Sequence, residues 1–205
     1  MLTAPQVTLP ESPIPGVDMR LREFAHHLAK THEIETATSS RPKETTLLEY
    51  LESWELALRN AYAIFKAVPS KNLPDLSGKS SRAGEWVLDN FYIVKQTIRQ
   101  IEEDLPDSFL NELPKLNETS LQGHTRIFAL AREWIGYSQG QIDLTQAAIF
   151  IQDYQQVMPL TIGELWALPI MLRIGILERL VYATSELTGI EVPQSLSEIP
   201  IQFAV

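Results

Sequence analysis

The sequence of 205 residues contains no cysteine. This absence excludes disulfides, thiolate metal ligands and cysteine nucleophiles, and it is typical of proteins in a reducing compartment such as the cytosol. An excess of basic residues is also missing, because 17 Lys and Arg stand against 26 Asp and Glu and the formal net charge is -9. Nucleic-acid binding needs a clustered basic surface. We therefore predict a cytoplasmic protein that does not bind nucleic acid.

Long uncharged hydrophobic runs are missing as well. A membrane-spanning helix needs about 18 consecutive apolar residues, and the richest segment, 161–188, is interrupted by Glu164, Arg173, Glu178 and Arg179. We predict no transmembrane segment in this chain. Residues 1–17 contain four prolines but no basic stretch followed by an apolar one, so the sequence predicts an extended proline-rich arm and not a signal peptide.

No segment alternates apolar and polar residues with the period of a β-strand. Apolar residues instead recur every three or four positions, which predicts an all-α fold: an irregular bundle of about six helices with a proline-kinked, long final helix. The predicted helices cover about 18–31, 45–68, 80–105, 127–135, 143–158 and 161–188. We expect one helical domain over 18–190, preceded by the arm of residues 1–17 and followed by an irregular tail, 191–205.

The clearest apolar stripe lies on the second predicted helix. Its members are Leu47, Tyr50, Leu51, Trp54, Leu58, Ala61, Tyr62, Phe65 and Val68. An aromatic stripe at this spacing forms either core or a binding platform, and core is the more frequent use. We therefore place Trp54 in the centre of the core.

Residues with metal or catalytic chemistry do not form a recognisable motif. His26, His27 and His32 are close in sequence, but no pair has the i, i+4 spacing that turns two imidazoles toward one zinc ion. We predict no metal, no cofactor and no catalytic residue, and whether the chain is an enzyme stays open.

The final predicted helix has a well-specified start. Thr161 and Glu164 have the spacing of a capping box, in which each side chain accepts a hydrogen bond from a backbone N–H of the first turn. Pro169 inside the helix removes one hydrogen bond and predicts a kink. A helical wheel predicts the buried face to consist of Leu165, Pro169, Leu172, Ile176, Leu180 and Ala183, extended by Trp166, Ile170 and Leu177, with Glu164, Gly175, Glu178 and Arg179 on the opposite side.

Arg173 projects from the middle of this apolar face. A buried guanidinium needs a carboxylate partner or a path to water. Either the arginine is a structural residue that pairs with another helix, for which Asp89 and Glu85 are the candidates, or it binds a ligand.

A second set of polar residues lies on the third predicted helix. Asn90 is flanked by apolar side chains, so it forms either a structural bridge to another backbone or part of a polar pocket. The candidate binding residues are therefore Asp89, Asn90, Glu164, Trp166 and Arg173.

Four segments carry a resemblance to a known family. They are 86–92 (WVLDNFY), 104–106 (DLP), 112–116 (ELPKL) and 159–173 (PLTIGELWALPIMLR). In this order they resemble the N-terminal region of the bacterial cyclic β-1,2-glucan synthases, which are large inner-membrane enzymes that polymerise glucose from UDP-glucose and cyclise the product. The resemblance covers roughly 21–187.

The resemblance implies a non-catalytic role. The chain has neither the Asp-x-Asp motif nor the Gln-x-x-Arg-Trp motif of processive glycosyltransferases, so no catalytic residue of the family can be placed on it. It implies a helical accessory or docking domain that supports cyclic glucan synthesis, with a membrane glucan synthase as partner, at the cytoplasmic face of the inner membrane. The alternative is a small carbohydrate-active protein that binds a glucan or a nucleotide sugar such as UDP-glucose.

Overall fold

The computed structural model describes residues 19–35, 47–67, 79–117 and 123–192. Within these ranges the chain forms seven helices and no strand, which confirms the all-α prediction. The helices are α1 (Met19–Thr31), α2 (Leu47–Ala67), α3 (Lys79–Asp104), α4 (Asp107–Glu112), α5 (Arg126–Tyr137), α6 (Leu144–Val157) and α7 (Ile162–Thr188). The short helix α4 is the one in excess of the six expected.

Several predictions concern residues outside the described ranges. These are the proline-rich arm 1–17 and the end of the tail 191–205. Side chains cap two of the described helices, and the capping box predicted for the final helix is confirmed. Asp143 accepts hydrogen bonds from the backbone N–H groups of Thr145 and Gln146 at the start of α6, and the Thr161–Glu164 capping box starts α7.

Two compact units divide the chain. One comprises residues 1–30 and 143–159, and the other comprises 31–142 and 160–205. In the first unit, Phe24 of α1 stacks on Phe150 of α6 with 5.8 Å between ring centroids. Arg22 Nε lies 3.3 Å from Oδ2 of the buried Asp153, so an aromatic pair and an ion pair join the two helices. The prediction of a single domain over 18–190 stays a prediction.

In the larger unit, α7 packs against α2, α3 and α5, and α2 also packs against α3. Most of the stripe on α2 is buried as predicted, with Trp54 only 1% exposed, whereas Tyr62 is half-buried and Val68 lies outside the described residues. On α3, Val87, Val94, Ile98 and Ile101 are buried, whereas Trp86 and Ile93 are exposed.

Most of the buried face of α7 is not the one predicted, although Leu177 is buried and Arg179 is exposed as predicted and Ile170 is half-buried. Leu165, Pro169, Ile176 and Ala183 are exposed and Leu172 and Leu180 are half-buried, whereas Glu164, Ala167, Met171, Ile174, Gly175, Leu177, Glu178 and Val181 are buried. Apolar residues surround most of this helix, so its wheel does not single out one buried side. The helix continues through Pro169, and the kink there stays a prediction.

Candidate functional site

A buried ion pair joins the N-terminal turns of α5 and α7. Arg126 Nε donates to Glu164 Oε1 at 2.7 Å and Arg126 Nη2 donates to Glu164 Oε2 at 2.5 Å, and the two side chains are 1% and 0% exposed. Glu164 Oε2 also accepts from the backbone N–H of Thr161 at 2.8 Å. The carboxylate that completes the helix cap therefore also neutralises the buried guanidinium of Arg126, which it holds in a bidentate geometry.

A second buried pair lies further along the same two helices. Arg132 Nε donates to Glu178 Oε1 at 3.0 Å and to Oε2 at 3.1 Å. Burial raises the pKa of Glu178, and the positive charges of Arg132 and Arg179 oppose that rise. Gly175 allows the helices to meet closely beside this pair, because a Cβ at that position would lie 3.2 Å from Ile135 Cγ1.

A half-open cavity of about 250 Å³ adjoins the second pair. Its charged and aromatic lining consists of Arg132, Glu178, Arg179, Tyr182 and Glu186, and the rest of its wall consists of Ile135, Gly136, Gly175 and Ala183. A concave site with a few convergent polar groups on small apolar walls is the usual form of a small-molecule pocket. The cavity is therefore the candidate ligand site of the larger unit.

Two histidines of the larger unit lie near the buried arginines. Burial lowers the pKa of His32 to about 4, and the charge of Arg126 adds to this effect. Burial likewise lowers the pKa of His124 to about 4, assisted by Arg132 and Lys115. Both imidazoles are therefore neutral in the folded protein at neutral pH.

These shifts predict a loss of stability in weak acid. Between pH 6.5 and about 4 the unfolded chain binds protons at His32 and His124 that the folded chain does not bind, because the folded pKa values are about 4. The free energy of unfolding should therefore fall with decreasing pH by up to about 1.4 kcal/mol per pH unit for each histidine. Urea unfolding at several pH values measures the slope.

The variant His32→Gln should have a shallower slope than the wild type over this range. His27→Gln is the matched control, because His27 is exposed on α1. If His32→Gln and wild type lose stability in parallel between pH 6.5 and 4, the claim that the buried imidazole of His32 is neutral in the folded protein is refuted.

The five predicted binding residues do not line the cavity. Asp89 is exposed on α3, and Asn90 donates to the backbone carbonyl of Trp86 in its own helix at 2.8 Å. Glu164 is held by Arg126 and Thr161, and Trp166 is 77% exposed. Their role in ligand binding stays a prediction.

The structure places Arg173 differently from the prediction. Its side chain is exposed, so the expected burial is wrong. The carboxylate of α3 beside it belongs to Asp104 and to neither Asp89 nor Glu85, and its Oδ2 lies 3.8 Å from Arg173 Nη1, which is an ion-pair distance and too long for a hydrogen bond. The guanidinium reaches water because the apolar face of α7 that surrounds it points outward.

That outward surface is the most apolar exposed part of α7. We call it the outer face of α7 and define it as Ile162, Leu165, Trp166, Pro169, Arg173 and Ile176. The spacing of three, four and seven residues places these side chains on one side of the helix. Ile162 is 74% exposed, so the surface extends to the first residue of the helix.

Sequence reasoning missed Arg126, Arg132 and Glu178 as site residues. The sequence carried a signal, because Arg126 and Arg132 belong to a mainly apolar segment, 126–135, every residue of which is buried in the structure. A buried arginine needs a carboxylate, which Glu164 and Glu178 of α7 supply. The pairing spans 38 and 46 positions, so sequence spacing could not reveal it.

The chain matches no family model. It is 34% identical over 100 residues to the cyclic beta-(1,2)-glucan synthase NdvB of Rhizobium meliloti (strain 1021), and this alignment covers 48% of the chain. The chain spans 3% of the length of that protein. The similarity supports a partial and distant relationship to a glucan synthase, in agreement with the resemblance of the four sequence segments.

Proposed function

We propose that this chain is a non-catalytic helical accessory domain that docks onto a cyclic β-1,2-glucan synthase and supports glucan synthesis from UDP-glucose. The observation that carries this proposal is the 34% identity to a glucan synthase over 100 residues. The alignment covers only 3% of that protein, so the proposal does not carry over the synthase reaction itself.

The outer face of α7 supports docking. It combines Trp166 and Ile162, both more than two-thirds exposed, with the guanidinium of Arg173. Tryptophan and arginine are the residues that most often dominate protein interfaces, and an apolar stripe along one helix fits a hydrophobic groove of a partner. The segment 159–173, which carries the longest part of the family resemblance, includes most of this face.

The same proposal places the chain at the cytoplasmic face of the inner membrane through its partner. Among the helices that the structure describes, none is long and apolar enough to cross a bilayer.

Co-purification with a membrane cyclic glucan synthase tests the docking. Trp166→Ala should weaken the association about tenfold or more, because truncating a central interface tryptophan commonly has this effect. Tyr92→Ala is the matched control, since Tyr92 is an aromatic residue 63% exposed on α3. Circular dichroism verifies that both variants remain folded.

The proposal fails if the wild-type chain does not associate with the synthase. It also fails in its choice of surface if Trp166→Ala binds as well as wild type while Tyr92→Ala loses binding.

A second candidate function is binding of a carbohydrate or nucleotide sugar. The cavity between α5 and α7 favours the carbohydrate, because five polar or aromatic side chains line one concave space. Titration of the isolated chain with UDP-glucose and with β-1,2-glucan oligomers separates this function from docking.

A further inference from the structure

The cavity between α5 and α7 has balanced charge. It is lined by two guanidiniums (Arg132 and Arg179), two carboxylates (Glu178 and Glu186) and the phenol of Tyr182. Arg132 is bound to Glu178 through both carboxylate oxygens. The lining therefore offers many hydrogen-bond donors and acceptors but no excess of either charge.

The size of the cavity limits its ligand. Its volume of about 250 Å³ lies below the range of about 300–1,000 Å³ that is usual for drug-sized molecules. A single ring matches this space, whereas the base, ribose and diphosphate of a nucleotide sugar would lie outside it on the open side.

Charge further disfavours an anion. A phosphate group would lie beside Glu178 and Glu186, and the guanidinium of Arg132 is already neutralised by its carboxylate partner. A neutral polyhydroxylated ring avoids this repulsion. Its hydroxyls can donate to carboxylates and accept from guanidiniums at the same time, and its C–H face can contact the apolar wall at Ile135.

We propose that this cavity binds one neutral sugar ring, such as the terminal glucosyl unit of a glucan. The choice of glucose among neutral sugars rests on the proposed function, whereas the class of ligand follows from the size and charge of the cavity. Arg179 and Glu186 at the exposed rim would contact the hydroxyls, and the buried Arg132–Glu178 pair would form the floor.

Titration of the isolated chain with methyl β-D-glucoside, followed by NMR chemical shifts, tests the site. A one-ring ligand should bind with a Kd of about 1 mM. Ala183→Trp fills the mouth of the cavity and should weaken binding at least about tenfold, and Arg179→Gln should weaken it about threefold to tenfold, since each removes or obstructs a contact of the ring.

Arg173→Gln is the matched control for Arg179→Gln. Both residues are exposed arginines of α7, but Arg173 does not line the cavity, so its loss should leave sugar binding unchanged. Saturable binding that Ala183→Trp abolishes supports the proposal. Shifts that do not saturate, binding that Ala183→Trp leaves intact, or binding of UDP-glucose without binding of the methyl glucoside overturns it.

The outcome is separable from that of the docking experiment. Sugar titration requires no synthase, and Trp166→Ala should retain sugar binding because Trp166 lies outside the cavity. Ala183→Trp should in turn retain association with the synthase. Sugar binding without docking would refute the proposed function alone, and docking without sugar binding would refute the cavity assignment alone.

Discussion

Replacing Arg126 by methionine should lower the free energy of unfolding by about 3–5 kcal/mol. The substitution leaves the carboxylate of Glu164 in a site where its side chain is 0% exposed, without the two hydrogen bonds that Arg126 donates. Removing one partner of a buried pair is more damaging than removing both, because an uncompensated charge stays in the protein interior. Urea unfolding of the variant measures the effect.

The double variant Arg126→Met, Glu164→Gln separates the charge from the cap. Glutamine can still accept the hydrogen bond from the backbone N–H of Thr161, so the start of α7 is preserved. We expect this double variant to recover at least about 1–2 kcal/mol relative to Arg126→Met.

Arg59→Met is the control for loss of an arginine in an exposed pair. Arg59 bonds Glu55 one turn away on the surface of α2, and its loss should change stability by less than about 1 kcal/mol. Equal effects of Arg126→Met and Arg59→Met would contradict the view that the α5–α7 pair is buried and coupled.

Replacing Trp54 by alanine should also lower the free energy of unfolding by about 3–5 kcal/mol. Trp54 is 1% exposed and stacks on Tyr50 at 6.3 Å between ring centroids. Its removal loses apolar burial and leaves a cavity that the neighbouring helices cannot fill completely. Urea unfolding of Trp54→Ala measures this loss of stability.

Leu56→Ala is the control on the same helix, because Leu56 is 60% exposed and its truncation should change stability by no more than about 0.5 kcal/mol. A loss below about 1 kcal/mol for Trp54→Ala would show that the stripe of α2 is not a packed core in solution.

The burial of Glu178 could not be predicted from the sequence. A helical wheel assigns it to the polar side of α7, yet it is buried and pairs with Arg132. Its environment is set by α5, a helix whose own charged residues are buried from 126 to 135. The cavity that adjoins this pair therefore could not be predicted, because its walls come from two segments about 40 residues apart in the chain.

The positions of the six longer helices that the structure describes could be predicted from the sequence alone, because local rules determine them. Periodic apolar residues specify α1 and α2, and Asp143, Thr161 and Glu164 specify the starts of α6 and α7 through caps that involve only adjacent residues. Trp54 was placed correctly in the core because α2 has one apolar side and one charged side.

Only the tertiary structure decided which side of α7 is buried. Apolar residues surround most of this helix, so burying either side would remove a similar area from water. Arg126 and Arg132 resolve the choice, because these guanidiniums in the interior require carboxylates, and only the side of α7 that carries Glu164 and Glu178 supplies them. Turning that side inward exposes Trp166 and Arg173 on the outer face and creates the cavity beside Glu178.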